Sequence, residues 1–411
     1  MTGTSYIRGE SIACDNIGNL YATGYFYGQT DFDPGPSNYN RISIGKYDAY
    51  ILKLNSDGHF IWVKTMGSKK DDGNNYICLD QVGNLYVSGS FSDSMDFDPD
   101  INNDILAPKG RNAYYVSKHD TAGNFKWTRS FGDTLLDFYP SITADQNENI
   151  LLTGGYKGIV DFNPGTSSSN RSGLGSNNFY LLKLDAFGEM VWVKTLGGIN
   201  VDYSMRGNAS IIDDTGNVYC VGNFNKDINF NPDGKADYKS TSTILKDLFI
   251  IKYNMYGQYQ WSQQINGNGD EDGLGFGMDN RHNFYLSGEF DYKIDCDPDT
   301  GAYNLSVIKK GVSDIFIIKL GDKSAITHRI DFNKNCTIYP NPTNGNFSLQ
   351  LKDINKQVNI EIYNTLGTIV YQSKSTDAIN AIDLSHLPND LYIVKISTAN
   401  NQIFTQKIIK Y

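Results

Sequence analysis

Short runs of alternating apolar and polar residues, separated by Gly-Asn turns, succeed one another along most of the chain without helical periodicity. Gly83–Phe91 reads as a strand entered from a tight turn, and Ala113–Lys118 as a second strand. A Gly123-Asn124 turn then leads into a third strand, Phe125–Arg129, and Ser141–Asp145 supplies a fourth. The same order recurs. Its marker is an acidic phrase at Asp31–Pro34, Asp96–Pro99, Asp161–Pro164, Asn229–Pro232 and Asp295–Pro298, with starts 65, 65, 68 and 66 residues apart. Trp62, Trp127, Trp192 and Trp261 keep nearly the same beat, at 65, 65 and 69. About four antiparallel strands per repeat predict an all-β chain forming a β-propeller of about five four-stranded blades over residues 1–320. An open stack of hairpins is the alternative; closure into a ring would remove its exposed edges.

The ends of the repeat are irregular. The fifth copy, with Gly288–Phe290 and Asp314–Lys319, is not followed by a Trp strand, and a one-period shift lays Met1 on Met66, just beyond Trp62. Both ends therefore lack the same piece. Either Ala325–Ile330, within a linker or closing strand at 321–335, completes five blades, or Met1 is an artificial start and further blades precede it, the reading preferred here.

Residues 336–411 abandon the period. Phe347, Leu349 and Leu351 alternate with polar residues, as do Val358, Ile360 and Ile362, and further strands run through Leu391–Ile396 and Ile403–Ile409. This pattern predicts a small antiparallel, Ig-like β-sandwich. The segment resembles the type A C-terminal sorting domain of the type IX secretion system of the Bacteroidota. The resemblance is carried by Tyr339, Pro340, Asn341, Pro342 and Gly345, by Ile362-Tyr363-Asn364 before Leu366-Gly367, and by Asp383-Leu384-Ser385 with Leu387. The Leu391-Tyr392-Ile393 strand and the terminal Lys407–Lys410 complete it. Asp390 stands where a glycine is usual before the Tyr-Ile strand. The resemblance implies the type IX machinery as partner, export to the outer-membrane surface or the medium, and a tail that serves as an address and is commonly cleaved. An exported chain needs a signal peptide; Met1–Tyr6 offers neither a basic start nor an apolar run, so that segment is expected upstream. The repeat body is similar to SBBP-like propeller repeat proteins, through its Gly-Asn-x-Tyr strands, the loop Asp31–Gly35 and the strands Trp62–Thr65 and Trp192–Thr195. That family implies no assigned activity.

Charge narrows the partners. The net charge is −10; the tail holds six lysines against five acids, so residues 1–335 carry −11. An acidic body disfavours nucleic acid and anionic membrane surfaces, and no apolar run is long enough to span a bilayer. An unknown surface glycan or protein is the expected ligand.

Asp31 and Asp33, Asp96, Asp98 and Asp100, and Asp295, Asp297 and Asp299 place carboxylates at alternate loop positions, a pattern that suits calcium, the candidate cofactor. Asp and Asn also close turns on their own backbone, with Pro fixing the turn and Phe packing beneath, and this reading covers every copy, including Asn229 and Asn231. The Trp residues read as blade-to-blade packing in preference to sugar platforms. Lys53, Lys118, Lys183, Lys252 and Lys319 read as a solvated or paired face, and the five cysteines as isolated, mostly buried thiols. His59, His119, His282, His328 and His386 show no metal spacing, and no nucleophile elbow, phosphate loop or distinct carboxylate pair stands out. The expected function is a non-catalytic binding or adhesion scaffold. Its rival is a secreted polysaccharide hydrolase or lyase, favoured by acidic and aromatic residues unique to one blade and converging at the ring mouth.

Overall fold

The hairpin turns are built by one side chain each. Asp15 accepts the amides of Ile17 and Asn19 and the Asn19 side-chain amide, and Asp80, Asp213 and Asp279 repeat the arrangement. Tyr21, Tyr86, Tyr219 and Tyr285 each donate a hydroxyl to the same carboxylate from the strand that follows. The turns need a left-handed residue, supplied by Gly18, Gly83 and Gly216, and by His282 in the last copy.

The computed structural model describes residues 2–3, 6–98, 104–110, 112–132, 140–197, 204–241, 245–279, 281–298, 301–307, 312–321, 336–351, 357–365, 367–398 and 403–411. They contain strands and no helix. The chain divides into two compact units, Met1–Asp322 and Lys323–Tyr411.

Among the described residues the first unit holds five main antiparallel sheets, besides four small ones. Sheet I takes its strands in chain order, Tyr6–Cys14, Leu20–Tyr27, Asp48–Leu54 and Phe60–Met66. Sheets II, III and IV begin at Gly73, Ser141 and Met205 and likewise have four strands, in sequence-adjacent order. Sheet V has three: Glu271–Met278, Phe284–Phe290 and Asp314–Leu320. The expected grouping needs one correction. The Ser141 strand opens sheet III instead of closing sheet II, so among the described residues sheet I has all four strands and sheet V has three. A periodic pattern has no phase, and the break falls where hydrogen bonding stops. Ala325–Ile330 lies outside the described residues.

Between the second and third strands a second hairpin projects, as in Gln29–Asp31 with Asn40–Ile42 and Asp227–Asn229 with Tyr238–Ser240. The acidic phrase sits at its tip, in place of the plain loop expected. Arms of two to four residues are too short to show alternation.

The core lies between neighbouring sheets. The first strand of each sheet packs against that of the next, through Tyr6–Cys14, Gly73–Leu79, Ser141–Ala144, Met205–Ile212 and Glu271–Met278. Each Trp belongs to the last strand of its sheet, and Trp62, Trp127 and Trp192 rest on the turn of the following one. A Cβ on Gly123 would lie 3.2 Å from the Trp62 ring, and the indoles of Trp127 and Trp192 donate to Ala186 O and Met255 O at 3.1 and 3.2 Å. The flanking Ile61 and Val191 point outward, 48% and 51% exposed. The lysines follow expectation in part, Lys118 pairing with Glu148 and Lys319 with Asp279, but Lys118 and Lys183 are buried, and Lys53, Lys118, Lys252 and Lys319 lie 4.8–5.3 Å over the rings of Tyr21, Tyr86, Tyr219 and Tyr285. Cys220 and Cys296 are buried, Cys78 is half-buried, and Cys14 is exposed, against the expected burial.

The second unit is a two-sheet β-sandwich, one sheet of three strands and one of four. Its core alternates as the sequence does, with Phe347, Leu349, Leu351, Val358, Ile360 and Ile362 all buried.

Candidate functional site

In the acidic loops the first carboxylate of each phrase has a fixed task. Asp31 Oδ1 accepts the amides of Asp33 and Tyr39, Asp96 those of Asp98 and Asp104, and Asp295 those of Asp297 and Tyr303. Asn229 accepts from Asn231 and Asp237 in the same way, at 3.1 and 3.0 Å. A carbonyl oxygen is all the position requires, which explains the free exchange of Asp and Asn. Beneath it Phe32, Phe97, Phe162 and Phe230 are buried edge-on against Phe26, Phe91, Tyr156 and Phe224. Asp33 caps Gly35. Asp100 and Asp299 lie outside the described residues. Asp96→Asn is therefore expected to leave stability within about 0.5 kcal/mol, while Asp96→Ala costs about 1–2 kcal/mol for two orphaned amides. Urea unfolding with and without chelator checks both: a midpoint lowered by chelator means that the loops hold calcium.

The sorting-type residues, distant in sequence, meet at one edge of the sandwich. Asn341 donates to Lys407 O at 2.7 Å and accepts the Ile409 amide at 3.0 Å. Thr343 N donates to Ile409 O, and Tyr411 N to Thr343 O. The Lys410 ammonium, in a buried residue, caps Leu387 O and Asn389. Gly345 sits at φ +116, and a Cβ there would come within 2.9 Å of both Ser385 and Lys410. Buried Tyr392 donates to Pro388 O. Tyr339, Pro340, Pro342, Gly367 and Lys407 are exposed. The opening segment and the final strand thus hold each other.

A third feature breaks the repeat. Tyr6, Tyr25, Tyr27 and Tyr47 gather on sheet I: Tyr6 stacks on Tyr25 with centroids 6.1 Å apart, and Tyr47 meets Tyr25, Tyr6 and Tyr27 edge-on at 5.2, 5.7 and 6.0 Å. Pairing registers place Ser90, Gly155, Asn223 and Glu289 at the counterparts of Tyr25, and Asn112, Asn177, Lys246 and Ser313 at those of Tyr47. Tyr6, Tyr25 and Tyr47 line a cleft of about 850 Å³ toward sheet II, with Lys46, Lys69, Lys70 and Asp71. At its floor buried Asp72 accepts the amides of Ser68 and Ser92, and burial raises its carboxyl above the usual range. Sequence reading missed this site. Tyr25 and Tyr47, at positions where the other copies carry small or polar residues, were the available signal.

Other chemistry is enclosed. Ser117 and His119 are hydrogen bonded at 2.8 Å, yet both are buried, and burial lowers the imidazole to about 4. His282 pairs with Asp214 across sheets IV and V at 3.2 Å. Among the described residues no group of three or more His, Cys, Asp or Glu is arranged to hold a metal ion.

Residues 337–411 match the family described as the secretion system C-terminal sorting domain. An uncharacterized WD repeat-containing protein of Acanthamoeba polyphaga mimivirus is 23% identical over 314 residues, covering 63% of this chain and 22% of the relative. An ulvan lyase of Nonlabens ulvanivorans is 30% identical over 73 residues, covering 18% of this chain and 14% of that protein. The chain thus spans less than a quarter of the length of these curated relatives. Among solved structures it is similar to PorZ, an essential bacterial surface component of the type-IX secretion system of Porphyromonas gingivalis, with 11% identity and a TM-score of 0.31 over 97% of this chain and 59% of that one. It is also similar to the dimeric latent PorU of the same organism, with 11% identity and a TM-score of 0.17 over 90% and 32%. The tail match supports secretion through the type IX system, to the cell surface or beyond. No helix among the described residues is long and apolar enough to cross a membrane.

Proposed function

We propose that this chain is an exported, non-catalytic binding scaffold: an SBBP-like propeller, to which this chain contributes about five blades, that presents one face to a ligand, followed by a tail that serves only as an address. The observation that carries the binding role is the tyrosine cleft. Its Tyr25 and Tyr47 stand where the other sheets carry small or polar residues, and binding surfaces are set apart from their scaffolds in this way. Curvature of the array is supported by Tyr76 of sheet II, whose hydroxyl feels both Glu10 of sheet I and Arg206 of sheet IV, a pair that sheet III would separate in a straight stack.

The rival reading, a polysaccharide lyase or hydrolase, gains from the same cleft, since its aromatic and acidic residues belong to one junction. Against it, Asp72 is committed to two backbone amides and Asp71 is the one other acid of the lining. Incubating the protein with a panel of soluble polysaccharides separates the two. Retention on the polymer without new reducing ends or unsaturated products is expected; progressive shortening of any polymer establishes the enzyme.

A further inference from the structure

Within the scaffold reading, on which this inference rests, we propose that the cleft between sheets I and II binds an acidic saccharide chain: the sugar rings lie on Tyr6, Tyr25 and Tyr47, and their carboxylate or sulfate groups face Lys46, Lys69 and Lys70.

The aromatic surface has the form that sugars require. Sugar rings offer C–H faces, which pack on the faces of aromatic rings, and hydroxyls, which pair with phenol oxygens at the ring edges. Tyr6 and Tyr25 lie nearly parallel, 24° apart, and form a platform; Tyr47 stands across it at 73° and 76°, as a wall. The volume, about 850 Å³, is that of a ligand cleft holding a few rings, and it is concave, unlike the flat surface of a protein interface.

The charge selects among saccharides. The body carries −11, yet this rim gathers Lys46, Lys69 and Lys70, all exposed, against exposed Asp71. The second acid, Asp72, is buried beneath the floor. Lys70 is steered along the cleft by its bond to Ser92 O at 3.2 Å. A local cation cluster on an acidic protein draws anions to that one place and keeps them off the rest of the surface. Nucleic acid would need a far larger basic footprint.

Affinity electrophoresis of the full chain tests this, in gels cast with polygalacturonate for carboxylate, dextran sulfate for sulfate, or plain dextran as the neutral control. Retardation by polygalacturonate, dextran sulfate or both, and none by dextran, is expected, and the first two gels tell which anion is read. Tyr47→Ala and Lys69→Ala should each raise the apparent Kd about tenfold, and added salt should weaken binding. Tyr238→Ala, at an exposed tyrosine outside the cleft lining, should change nothing. Melting curves establish that each variant is folded, and Lys69→Arg should restore most of the binding. Equal retardation by dextran, abolished by Tyr47→Ala, would overturn the acidic ligand and leave the scaffold standing. Retardation that ignores both cleft variants overturns the site, and retardation by no polymer overturns both readings.

Discussion

Gly222→Ala destabilises the repeat unit by more than about 3 kcal/mol, enough to unfold a domain of ordinary stability. Gly222 faces Gly207 next to a bulge, where the second strand of sheet IV crosses close over the first. A Cβ there would lie 1.9 Å from Arg206 O and 2.7 Å from the Phe249 ring. Backbone cannot retreat without breaking the ladder, so no rotamer relieves the overlap. Gly24, Gly89 and Gly288 occupy the same place, each 2.0 Å from a first-strand carbonyl oxygen. Gly277→Ala is the control, since a Cβ there meets nothing within 4 Å. Urea denaturation of both variants checks the contrast, and two similar midpoints would mean that the close crossing is not what requires glycine.

Glu271→Gln stabilises the protein in alkali and removes most of its loss of stability between pH 5 and pH 9. Glu271 is fully buried at the junction of sheets IV and V, facing buried Asp247, with Asp270 beside it. The Gly269 amide donates to it at 3.3 Å, while Gln264 and the Gly267 amide donate to Asp247 at 2.6 and 3.2 Å. Burial first, and then the Asp247 charge, push the Glu271 carboxyl up to about 9 from an ordinary 4.5. The folded state thus keeps a proton that the unfolded chain releases. Its stabilising contribution is complete below pH 4.5 and disappears as pH rises through 9. Asp48, raised by burial to about 6, acts in the same direction between about pH 4 and 6. Asp120, held down to about 2 by Asn124 and Lys126 against the opposing effect of burial, gives stability lost only below about pH 4. Glutamine keeps the shape and has no proton to lose, so the gain at pH 9 should be on the order of a few kcal/mol. Urea midpoints at pH 5, 7 and 9 measure it; parallel declines in variant and parent would place the pH dependence elsewhere.

The repeat was legible because each structural need recurs: an Asx turn five times, and an aromatic under a loop and a Trp in the last strand four times each. The tail was legible because Val358, Ile360 and Ile362 alternate without interruption. What escaped has physical reasons. The boundary between sheets depends on where a strand finds its partner, and Ser141 carries no mark of pairing forward instead of backward. The acid pair at Asp247 and Glu271 spans two sheets, so its members look like ordinary surface residues in the chain. The tyrosine cleft draws on four separate segments, and Tyr6 and Tyr47 become neighbours only when the strands pair. The turn carboxylates Asp15, Asp80, Asp145, Asp213 and Asp279 keep the same period as the acidic phrase, but a lone Asp is a weaker mark than a four-residue phrase.

The claim that the body is exported cargo and the tail its address is tested most directly by intact-mass spectrometry of the protein from the surface and medium of producing cells. The account predicts a mass that contains the five-sheet body and lacks residues 337–411. Recovery of the tail-bearing chain only from inside the cells, with none outside, would contradict it.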